Sequence, residues 1–86
     1  MHQSIRQFSA PLIRRLPEYH AYCETILRQG ILTISSTSIA EHCNIDPIVV
    51  RKDIESVGAK GRPKIGFDVA ELINCIHEFM GWGKLD

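Results

Sequence analysis

Residues 35–58 read SSTSIAEHCNIDPIVVRKDIESVG, and the punctuation inside them decides the fold. Ser35 or Ser36 can accept a hydrogen bond from an amide two or three residues on, so either caps a helix over residues 37–43. Ile39, Ala40 and Cys43 then share its inner side. Asn44 follows, and asparagine tolerates the left-handed backbone that a sharp helix exit needs. Asp46-Pro47 starts the next helix: the carboxylate caps, and proline's fixed φ and missing amide suit the first helical position. Val50, Ile54 and Val57 mark the inner face of this helix, and Gly58 ends it. Two short helices joined by about three residues describe a helix-turn-helix.

Working outward, Leu12, Leu16, Tyr19, Cys23 and Ile26 recur at alternating intervals of four and three, the face of an amphipathic helix. Ser9 serves as its cap, Pro11 falls in its first turn and Gly30 is its stop. Pro17 lacks the amide that would bond to Ile13, which predicts a kink, or a short helix followed by a longer one. Residues 31–34 are a brief apolar run and read as a small strand. Beyond the helix-turn-helix, residues 58–66 read GAKGRPKIG, dense in turn formers and basic side chains, and predict a short hairpin. Asp68 with Glu71 three later resembles a capping box. The helix it opens carries Val69, Leu72, Ile73, Ile76, Phe79 and Met80 inward and closes at Gly81. The whole order predicts a mainly α fold with a small β-hairpin wing, a winged helix-turn-helix.

Eighty-six residues, 44% of them hydrophobic and 23% charged, suffice for one small domain over residues 1–86 and are too apolar for a disordered chain. Residues 1–8 read as a flexible lead, with neither the basic start nor the apolar run of a secretory signal. No apolar stretch is long enough to span a bilayer, so no membrane partner is expected. Cys23, Cys43 and Cys75 are isolated and odd in number, which fits reduced thiols in a cytoplasm better than a disulfide framework. His20 and Cys23 can share a helix face, but four converging ligands with metal-site spacing are missing, and no metal is expected.

Ten basic and ten acidic residues cancel overall, and the cancellation hides an asymmetry. Residues 51–64 hold Arg51, Lys52, Lys60, Arg62 and Lys64 against Asp53 and Glu55, a local charge of +3. Residues 65–86 hold four acids and one lysine, a local charge of −3. In a winged helix the positive segment lies on one side, and Arg14 and Arg15 near the start of the first helix extend it. Such a patch attracts backbone phosphates through counterion release, while a helix fits the major groove and arginine pairs with guanine. The candidate DNA-binding residues are therefore Arg51, Lys52, Lys60, Arg62, Lys64, Arg15, Arg14 and Ser36. Asp53 and Glu55 read as solvated charges that tune the field. No nucleophile–base pair or carboxylate dyad stands out, so no enzyme activity is expected. The rival reading is a winged helix that binds another protein, since the neutral total charge weakens attraction to DNA.

Several runs carry a resemblance: Arg14-Arg15-Leu16-Pro17-x-Tyr19, Ile34-Ser35-Ser36-x-x-Ile39-Ala40-Glu41, Val50-Arg51-Lys52-Asp53-Ile54, Gly58-x-x-Gly61 and Ile65-Gly66-Phe67-Asp68-Val69. In order and spacing they resemble the N-terminal domain of the Rex family of redox-sensing transcriptional repressors. The resemblance implies a homodimer on a palindromic operator in double-stranded DNA, weak or absent as a dimer in this chain. It implies contact with DNA from Arg51 and Lys52 on the recognition helix, a basic wing at residues 60–64 in the minor groove, and Arg15 near the phosphate backbone. It also implies a separate Rossmann domain that senses NAD(H). No G-x-G-x-x-G unit occurs here, so the chain reads as lacking a Rossmann domain and as binding no cofactor itself. NAD(H) is expected only if such a domain follows Asp86. Two departures from the family pattern are Ser56-Val57-Gly58, where an aromatic pair is usual, and Pro63-Lys64 in place of Arg-Gly in the wing.

Overall fold

A computed structural model describes residues 10–82, in the order α1 (Ala10–Arg28), β1 (Thr33–Ile34), α2 (Ser36–Cys43), α3 (Pro47–Ser56), β2 (Phe67–Asp68) and α4 (Val69–Met80). The expected Ser9 cap and the lead over residues 1–8 lie outside the described residues. Leu12, Leu16, Tyr19, Cys23 and Ile26 of α1 are buried, as their spacing requires, against Val69, Leu72 and Ile76 of α4. On the other side α2 and α3 pack together and bring Ile39, Ala40, Val50 and Ile54 into the same core.

The caps follow their chemistry. Ser35 is extended and accepts the amide of Ser38, which starts α2 at Ser36. Asn44 turns left-handed at φ 61°, and the amide of Ile45 returns to the carbonyl of Ala40. Asp46 accepts the amide of Ile48, and Asp68 accepts that of Glu71. Cys43 is half-buried, at the margin of the core.

The expected division of the first helix at Pro17 does not occur: α1 runs unbroken through it. Pro17 is exposed, while buried Leu16 and Tyr19 on either side keep the helix packed against α4. The small β component is finer than a plain hairpin. Arg62 and Gly66 exchange both backbone hydrogen bonds across a tight turn of Pro63, Lys64 and Ile65. The chain then enters β2, which pairs antiparallel with β1 in the register Thr33↔Asp68 and Ile34↔Phe67. The wing is thus stitched to the segment that leads into α2. Gly61 lies against the ring of Phe67, where an added Cβ would come within 3.1 Å.

Candidate nucleic-acid interface

The face of α3 is divided by its helical period. Val50, Asp53 and Ile54 turn inward, while Ile48, Arg51, Lys52 and Glu55 are exposed. A groove runs between this outer face, the start of α2 and the wing. Ser36, Thr37, Arg51, Glu55, Arg62, Pro63 and Lys64 are among its lining residues. Four candidates from the sequence therefore converge on one concavity: Ser36, Arg51, Arg62 and Lys64. The N-terminus of α2 lies at its edge, where the helix dipole adds positive potential. Lys64 holds a left-handed backbone at φ 69°, a conformation costly for a side chain with a Cβ, at the tip of the turn.

The other candidates stand apart from that groove. Lys52 and Lys60 are exposed but do not line it, and Arg14 is exposed on α1. Arg15 has a different setting from the one its charge suggests. Its Nε donates to Asp53 Oδ2 at 2.6 Å and its terminal nitrogen to Asp53 Oδ1 at 2.9 Å, a bidentate pair. The Tyr19 hydroxyl donates to Asp53 Oδ2 at 2.5 Å. Asp53 is 5% exposed, which corrects the reading of it as a solvated charge. Hydrogen bonding to Asp53 raises the Arg15 guanidinium above its ordinary range. Burial, then the bond to Asp53, raises the Tyr19 phenol. This polar triad fastens α1 to the recognition helix. Asp53 lies three residues after Val50 and next to Ile54, so the period places it on the inward stripe, but its charge pointed to water and its partners are distant in sequence.

The thiols form no part of this surface. Cys23 is fully buried and burial pushes it up to about 12; burial also raises Cys43 and Cys75. All three are free thiols, and among the described residues no three His, Cys, Asp or Glu side chains converge as metal ligands would. No described helix is long and apolar enough to cross a membrane.

A helix-turn-helix whose second helix and basic wing flank one groove defines a winged-helix domain. Residues 7–55 match the family described as "Putative DNA-binding protein N-terminus". The redox-sensing transcriptional repressor Rex of Treponema denticola is 42% identical over 76 residues, 88% of this chain and 36% of that protein. Rex of Bacteroides fragilis is 32% identical over 84 residues, 98% of this chain and 38% of that protein. The crystal structure of RSP in complex with β-NAD+ and operator DNA superposes with a TM-score of 0.79 at 34% identity, over 86% of this chain and 34% of that one. The chain belongs to this family, the N-terminal winged-helix domain of Rex repressors. It spans about a third of the length of the curated relatives it matches.

Proposed function

We propose that this chain reads operator DNA for a Rex-like redox-sensing transcriptional repressor, as a non-enzymatic domain in the bacterial cytoplasm. The observation that carries the proposal is the convergence of Ser36, Arg51, Arg62 and Lys64 on the groove between α3 and the wing. A duplex laid there places α3 in the major groove, with Arg51 aimed at a guanine edge. Lys64 and Arg62 on the wing, with Lys60 and Lys52 beside the groove, neutralise phosphates. Arg14 extends the positive surface along α1. Arg15 serves mainly to set the angle of α3 through Asp53, with its partly exposed edge towards the backbone. The similarity to RSP, whose structure was solved in complex with operator DNA, supports the reading of this chain as an operator-binding domain. A palindromic operator and a homodimer belong to the same proposal; a single copy of the chain binds one half-site weakly and with strong salt dependence.

The test is a binding titration of variants on matched and scrambled duplexes at several salt concentrations. Arg51→Ala should cost about 1–3 kcal/mol on the cognate half-site and relax the preference at one base. Lys64→Ala should weaken all sequences alike and reduce the salt slope by about one unit. Equal losses on both duplexes for Arg51→Ala would make Arg51 a phosphate anchor. Retention independent of salt would return the domain to protein binding.

NAD(H) recognition is not proposed for these residues. The described sheet has two short antiparallel strands, and among the described residues no glycine joins a parallel strand to a helix as a dinucleotide cradle requires. Calorimetry of this chain with NADH should record no saturable heat, and a micromolar isotherm would refute that expectation.

A further inference from the structure

Ile48 is out of place for a water-facing position. It is the second residue of α3 and 59% exposed, although isoleucine is among the residues most often buried. The helical period explains where it points. Ile48 precedes Val50 by two residues and so lies about 160° round the helix from that core residue. It precedes Arg51 by three residues, Lys52 by four and Glu55 by seven, so all four share the outward face. Ile48 is the large exposed hydrophobic residue of that face; the others in the described chain, Ile31, Leu32, Ile65 and Trp82, belong to other segments. Its backbone is fixed by the bond from its amide to the Asp46 carboxylate at 2.8 Å, and its β-branched side chain has little rotamer freedom to lose.

We infer that Ile48 determines sequence specificity by packing against the C5-methyl group of a thymine next to the base that Arg51 reads. The inference rests on the DNA-reading function proposed above. In a helix-turn-helix the N-terminal residues of the recognition helix reach base edges. In the major groove thymine alone presents a methyl group, and an apolar side chain is its natural partner. Arg51 carries the polar half of the readout and Ile48 the apolar half. Both project from one turn of α3, so their two bases are close neighbours in the half-site.

The experiment begins with duplexes enriched by this chain from a random-sequence library. In the enriched duplex each thymine is replaced in turn by deoxyuridine, which removes the methyl group and keeps every hydrogen-bonding atom. Binding is followed by fluorescence anisotropy for the wild type and for Ile48→Ser, whose melting temperature serves as the check on folding. The wild type should lose about 3–10-fold in affinity at one thymine position, as burial of a single methyl implies. Ile48→Ser should bind the original duplex more weakly and no longer distinguish thymine from deoxyuridine at that position. A wild type indifferent to every replacement, or an Ile48→Ser variant that keeps the full methyl preference, overturns the role of Ile48. Failure to enrich any duplex is a different result, because it removes the DNA-reading function and Ile48 with it.

Discussion

Asp53→Ala should destabilise the domain by about 3 kcal/mol, measured by urea denaturation, because three hydrogen bonds end on that one carboxylate. Two effects make up the loss. The Tyr19 hydroxyl is left without its acceptor in a fully buried position, which costs about 1–3 kcal/mol. Arg15 loses its bidentate partner, but its side chain is 29% exposed, so water takes back part of its charge and the penalty stays below that of a fully buried pair. For a chain of this size the total is a large share of a stability of roughly 0.05–0.15 kcal/mol per residue. The melting temperature should fall by roughly 10–20 °C. Asp53→Asn keeps an acceptor for Tyr19 and should lose less. A change below about 0.5 kcal/mol for Asp53→Ala, the usual size for an exposed charge, would show that the triad does not fasten α1 to α3.

Gly66→Ala should be the most damaging of the glycine-to-alanine changes among the described residues. Gly66 has a φ of 93°, and a Cβ there would stand 2.5 Å from the carbonyl oxygen of Ile34 and 3.0 Å from its carbon. Those atoms are backbone, so they cannot swing aside without breaking the β1–β2 pairing. Gly30 supplies the control. Its φ of 88° is similar, yet nothing lies within 4 Å of the added carbon. Gly30→Ala should therefore cost only the left-handed conformation, about 1–2 kcal/mol. Gly66→Ala should cost about 3 kcal/mol or more, because the clash adds to the same strain. It should also shift the wing and lower DNA affinity in the titration described above. Equal stabilities for the two variants would mean that the wing relaxes freely, against the close approach to Ile34.

The contrast between those glycines shows what a sequence can and cannot reveal. Local punctuation was legible: Asp46 and Asp68 cap the helices that follow them, Ser35 is the one of two candidate serines that caps α2, and Asn44 takes the left-handed turn. The spacing of buried residues along α1 was legible for the same reason, since periodicity is a local property. Pro17 does not divide the helix, because its local cost is outweighed by packing on both sides of it. The pairing of β2 with β1 was hidden, as their partners lie more than thirty residues apart. Asp53 was hidden by its type: a carboxylate is assigned to water until Arg15 and Tyr19, distant in sequence, are seen to meet it. The basic candidates divide likewise, because charge says where a field lies and only the fold says which side chains share a groove.

The tripeptide Arg51-Lys52-Asp53 has two outward members and one inward member on consecutive residues. Its inward carboxylate holds directional bonds, so it fixes how far α3 may roll or slide, which apolar contacts alone leave looser. The outward positions carry no such duty. Ile48 and Glu55 can change while the fastening one turn away keeps the helix in the same frame. The outer face of α3 can thus be varied on one scaffold without realigning the helix. The same separation marks where a designer should work: exchange the exposed face of α3 residue by residue, and leave Arg15, Tyr19 and Asp53 as the fixed mount.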